Sequence, residues 1–161
     1  MKFSVPALAA LFVSLSATAG PQTSATDTYA VKYNLGVIEG WRVTPEAVTG
    51  HCKKIDPDGV AVRNKNLDIW QKNNAELTSK IKTNFESAVR VVSPTHNSLA
   101  NPVEAVRAII TIEAIKTLFL GKNEEAARFT CQTYFSNPSL TNVVPVLKSL
   151  SEVEKWLEMQ K

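Results

Sequence analysis

The chain has two cysteines, Cys52 and Cys131, 79 residues apart. What precedes them decides their chemistry. Met1-Lys2 is a short basic start, Phe3 to Leu15 is an apolar stretch, and Ala17-Thr18-Ala19 offers the small-x-small pattern cut by signal peptidase. That is the pattern of a secretory signal peptide over residues 1–19. A chain exported this way matures in an oxidising compartment, where two lone cysteines pair. A redox-active pair would lie close together, as in C-x-x-C. Cys52 and Cys131 are therefore expected to form a structural bridge. Closing so long a loop is worth about 4–5 kcal/mol on the chain-entropy model.

The remaining chain is near the commonest single-domain size and long enough to bury a core without depending on the bridge. With 44% hydrophobic and 20% charged residues it is ordinary for a soluble globular protein. Loss of Lys2 with the leader lowers the net charge from +3 to +2. So weak a balance does not suit nucleic acid or an anionic membrane. The longest apolar run is the leader itself, and no second span follows it. The leader's Ala/Leu-rich core favours the bacterial periplasm or the medium.

Residues 20–28 are rich in Ser, Thr and small residues and read as a flexible leader, with a helical domain over 29–161. Tyr29 to Val43 alternates like a strand, yet Ala30, Tyr33 and Val37 also share a helix face. A lone strand would have no partner, so a helix ending near Gly40 is expected. Thr44-Pro45-Glu46 has the cap, first-turn proline and acidic residue of a second helix start, one that would carry Cys52. Asp56-Pro57-Asp58-Gly59 is a turn.

Leu67, Trp70, Asn74, Leu77, Ile81, Phe85, Ala88 and Val92 recur at steps of three or four. They predict one long helix from Val60 to Val92, with Asn73-Asn74 as its bending point. The same spacing fits a coiled-coil seam in which Asn74 sets register. After a loop over 93–101, Asn101-Pro102 restarts a helix. Val103, Val106, Ile109, Ile110, Ile112, Ile115, Leu118 and Phe119 cover most of its circumference, so this helix is expected to be central and most buried. Gly121 ends it. Asn123 caps a helix carrying Cys131, with Glu124 and Arg128 spaced to pair. A last helix starts around Pro145, and a Ser151/Glu154 capping box would divide it.

Candidate chemistry is sparse. His51 and Cys52 are neighbours and point about 100° apart on a helix, so they do not converge on a metal. Aligning Asp56, Asp58 and Gly59 with a calcium loop places Lys54 and Lys65 where its end carboxylates belong, which excludes that loop. No G-x-S-x-G, H-E-x-x-H or phosphate loop occurs. No metal or cofactor is expected. Arg42, Lys53, Lys54, Arg63 and Lys65 make a mildly basic neighbourhood suited to a partner contact, and Trp41, beside Gly40, is the aromatic most suited to join it.

The expectation is a single-domain, all-α, disulfide-linked bundle of five or six helices after a cleaved signal peptide. It would be periplasmic or secreted, monomeric or homodimeric, and would act by binding another protein, as an inhibitor or immunity-type protein does, rather than as an enzyme. Two rivals predict different geometry. A small secreted hydrolase needs two carboxylates facing one pocket. A carrier of an apolar ligand needs a closed cavity lined by the Ile109–Phe119 helix.

Overall fold

The structure is a computed structural model describing residues 25–92, 101–137 and 142–161. The segment read as a signal peptide, residues 20–24 and most of the 93–101 loop lie outside the described residues. Six α-helices and no strand are present among them: α1 (Ala25–Ile55), α2 (Val60–Asn73), α3 (Ala75–Val92), α4 (Pro102–Phe119), α5 (Glu124–Thr133) and α6 (Val144–Glu158). Short 3-10 turns cover Pro57–Gly59 and Tyr134–Ser136. The all-α, disulfide-linked domain expected from the sequence is what is found. No helix among the described residues is long and apolar enough to cross a membrane.

The central helix is α1, which touches all five others. It differs from expectation in two ways. It begins at Ala25, inside the segment read as a leader, and it runs through Pro45 without ending at Gly40. A proline inside a helix removes one N–H and crowds the carbonyl four residues back, at a cost of about 3 kcal/mol. Two threonine hydroxyls tie the same stretch together: Thr44 Oγ1 donates to the Gly40 carbonyl at 2.5 Å, and Thr49 Oγ1 to that of Pro45 at 2.8 Å. The compensation is burial. Leu35, Ile38, Val48 and Cys52 have no exposed surface, and they lie on both sides of the proline. Breaking the helix at Gly40 would pull one half of that stripe out of the core.

Two contacts give the helix directions. Glu39 meets Arg107 across 68 residues, and His51 meets Phe119 at the same separation. Helices α1 and α4 therefore run parallel. Glu86 and Arg107 sit at matching depths on either side of the α3–α4 connection, so α3 is antiparallel to α4. Asn84 donates to Glu154, and beyond them Ser87 and Val91 face Leu157 and Gln160, which makes α6 parallel to α3. These four helices enclose the larger core, in which Leu35, Ile38, Ile81, Phe85, Ile110, Leu150, Val153 and Trp156 are buried. A second core of Val48, Cys52, Leu118, Cys131 and Tyr134 closes one pole, where α2 and α5 pack. The Cys52–Cys131 bridge, with Cα atoms 5.6 Å apart, lies inside it.

The expected Val60–Val92 helix divides at Asn74, whose φ of −115° leaves the helical region and whose side chain donates to the Trp70 carbonyl at 2.8 Å. Ile81 and Phe85 are fully buried within the chain, with Leu77 packed beside them, so this stripe is not an intermolecular seam. Asn101 and Asn123 cap α4 and α5 by accepting from Glu104 N and Ala126 N. Gly121 has φ +74°, the left-handed conformation that glycine adopts without strain. Helix α6 is not divided at Ser151, because Glu154 reaches across to Lys80 and Asn84 instead of capping.

Two outcomes check this architecture. Thiol titration of the unfolded, non-reduced mature protein should find no free cysteine, and two free thiols would contradict the bridge. Phe85→Ala should destabilise the protein by roughly 3–5 kcal/mol in urea titration, the range for emptying a packed aromatic site. A loss under about 1 kcal/mol would mean that Phe85 is not the core residue its burial makes it.

Candidate functional site

The six residues singled out as a partner contact do not form one surface. Arg63 is buried on α2. Its Nη1 pairs with the equally buried Asp56, and its Nη2 donates to the carbonyls of Asp56 and, at 3.2 Å, Cys52. It thus closes the end of α1 beside the disulfide. Gly59 belongs to the same arrangement, since a Cβ there would strike both Asp56 Oδ2 and Arg63 Nη1.

Arg42 is held by Glu39 through two bonds, at 2.7 and 2.6 Å. Trp41 is half-buried with its ring centroid 4.8 Å from that of Trp70, so it is a packing residue and not an exposed aromatic. Only Lys53, Lys54 and Lys65 stand exposed. The basic neighbourhood read from the sequence is therefore three surface lysines and two guanidinium groups already committed inside the fold. No signal in the sequence separates these roles, because an arginine and a lysine in a turn-flanking helix look alike until their partners are placed.

Glu39 is the most enclosed carboxylate. It has no exposed surface and accepts from Arg42 and also from Arg107 Nε at 2.7 Å. Arg107 in turn pairs with Glu104 and Glu86 and lies 5.8 Å over the Phe85 ring. Burial opposes the Arg107 charge, but Glu39 and Glu104 outweigh it and hold the guanidinium above its ordinary pKa. The network joins α1, α3 and α4 and leaves Glu39 no open side for a substrate.

Two hollows bear on the rival functions. The larger, about 570 Å³, is an open groove between α3 and α6 that does contain two carboxylates, Glu154 and Glu158. Glu154 there is tied to Lys80 at 2.9 Å and to Asn84. The smaller, about 280 Å³, is lined by Asp58, Val62, Asn66, Gln132 and Phe135 over the Asp56–Arg63 pair. Neither is lined by α4, the helix on which an apolar carrier was expected to build its cavity.

What the sequence missed is on the outside of α4. Its inner stripe, Val103, Val106, Ile110, Ala114 and Leu118, is buried as the 3-4 spacing requires. Ile109 and Ile112 are not: they are 45% and 53% exposed, and Leu120, just past the helix end, is 82% exposed. Helix α4 is thus not the most buried helix but a flanking one that is apolar on both sides. Ala108, Ile109, Ile112 and Lys116 stand exposed on the outer side, and Leu120 follows just past the helix end. Lys116, the one charge in that stripe, pairs with Glu113 at 2.7 Å. An all-round apolar circumference normally means a helix wrapped by others. Among the described residues no other helix covers the outer side of α4, where Ile109 and Ile112 stand exposed.

No known protein family, curated protein or solved structure matches the chain.

The division of the basic residues is measurable. Arg63→Ala leaves Asp56 as a buried, unpaired carboxylate and should cost about 3–5 kcal/mol in urea unfolding. Lys65→Ala should stay within about 0.5 kcal/mol of the parent, as for most exposed positions. Equal, small losses at both sites would refute the buried pair.

Proposed function

We propose that this chain is a small exported protein that acts by binding another protein chain, in the manner of an inhibitor or immunity-type protein, and that the binding surface is the outer face of α4. The observation that carries the proposal is the trio Ile109, Ile112 and Leu120. Ile109 and Ile112 stand in water on a helix whose other side already fills the core, and Leu120 stands in water just past its end. Scattered exposed aliphatics are normal, but two isoleucines one turn apart on one helix face, with a leucine just beyond, favour a macromolecular contact. An α-helix presenting apolar residues at steps of three and four is also the form that helix-in-groove recognition uses.

Export rests on the signal-peptide pattern and agrees with the buried disulfide, which would not persist in a reducing cytoplasm. In the site's favour, α4 is anchored from behind by Arg107 and by its inner stripe, so the outer row is held in place before any partner arrives.

A photo-crosslinking residue at position 112, compared with one at the exposed Asn64 of α2, tests the surface in the fluid of the native host. Adducts should form at 112 and be absent at 64. No adduct at 112, or equal yields at both positions, would reject the α4 face.

A further inference from the structure

We infer that the protein is built of two units that open independently, and that the Cys52–Cys131 bridge is the lock on one of them. Reduction by a dithiol opens the pole around the bridge and leaves the bundle of α3, α4, α6 and the first half of α1 folded.

The division is visible in the cores. Among the described residues the two buried clusters have no member in common. Helix α1 gives Val31, Leu35 and Ile38 to the larger cluster and Val48 and Cys52 to the smaller. Pro45 lies between these sets. It has no N–H to give to the Trp41 carbonyl four residues back, so the helix ladder lacks a rung where one core ends and the other begins. Helix α4 divides in the same way, with Ile110 in one cluster and Leu118 in the other. No buried member of the larger core among the described residues comes from α2 or α5, and none of the smaller comes from α3 or α6.

The pole is the weaker unit. Besides the two cysteines its buried apolar side chains are Val48, Leu118 and Tyr134, edged by half-buried neighbours such as Ile55 and Phe119. Helix α5 buries Ala127, Thr130 and Cys131, all small. Arg63 is the one buried residue of α2, and its pair with Asp56 joins α2 to the end of α1, not to α5. The stretch of α1 from Pro45 to Ile55 is shorter than a helix that persists alone in water. Segments with so few buried apolar contacts are those that open locally. A disulfide closing a loop of even about 15 residues shifts such an opening on the order of a hundredfold.

The reduction moves two electrons. A thiolate of the dithiol attacks one bridge sulfur, and the S–S bond breaks. The second thiol of the reductant then displaces the cysteine held in the mixed disulfide. The dithiol leaves as a disulfide, and Cys52 and Cys131 end as two thiols. Both cysteines are buried, so attack follows opening of the pole, and a closed pole protects its own bridge. Once the bridge is gone, Val48, Leu118 and Tyr134 come within reach of water. The protein then displays in a reducing setting an apolar surface that it hides in an oxidising one.

The test is amide hydrogen exchange of the mature protein, read by peptide mass spectrometry with and without dithiothreitol. Amides of α5 and of the Val48–Ile55 end of α1 should exchange on the order of a hundredfold faster in the reduced protein. Those of Ile81–Val89 in α3 and Val146–Val153 in α6 should change by less than about threefold. The double substitution Cys52→Ala/Cys131→Ala, without reductant, should give the same pattern and keep most of the helical circular dichroism. Equal acceleration in α3, α5 and α6, or a double variant that does not fold, would show one cooperative unit and overturn the inference. A bridge that dithiothreitol does not reduce, or unchanged exchange in α5 once it is reduced, overturns it as well.

Discussion

A carboxylate with no exposure must be neutralised where it stands, and Glu39 stands at the centre of this protein. Its two oxygens are taken by Arg42 from its own helix and Arg107 from α4. Sliding α4 along α1 would pull Arg107 away from Glu39, leaving the buried carboxylate to Arg42 alone and breaking a largely enclosed ion pair, a larger cost than a misplaced methyl group. Apolar stripes alone tolerate such slippage, since one isoleucine resembles the next. The ion pair therefore sets the register in which the stripes of α1 and α4 meet. Arg107 extends the constraint to α3 through Glu86 and the face of Phe85.

At the opposite pole a second buried pair has an analogous role. Arg63 caps the end of α1 through the carbonyls of Cys52 and Asp56, with the Asp56 carboxylate balancing its charge. This holds α2 against the segment that carries the disulfide. The small second core could not fix that geometry by burial alone, because it contains few large side chains. One buried arginine, one covalent bond and a short aromatic cluster thus share a task that the apolar interior performs elsewhere.

Which features were legible in the sequence follows from the range of the interactions involved. Asn101, Asn123 and Gly121 end or begin helices by chemistry contained within four residues, and each was readable. The break at Asn74 was readable for the same reason. The inner stripes of α3 and α6 were visible because apolar spacing is a property of one helix. Pro45 misled because its local preference, a helix start, is real, and it is overridden by burial on both sides of it. The outer face of α4 was invisible for the complementary reason. Spacing tells that residues are apolar, not how many neighbours exist to cover them. Arg63 and Lys65 differ only in partners that the sequence does not display.

The parallel course of α1 and α4 has a consequence in time. Two parallel helices cannot be joined by a tight turn, so the chain must travel back through α2 and α3 before α4 can lie down beside α1. Every α1–α4 contact closes a loop on the order of its 68-residue separation, an entropic barrier that slows folding relative to an up-down bundle of neighbouring helices. The disulfide closes a still longer loop, of 79 residues. On a chain delivered from its N-terminus, Cys52 therefore waits as a free thiol until most of the protein has emerged. A bridge that must wait for a partner 79 residues on suits a latch on a formed topology more than a guide toward it.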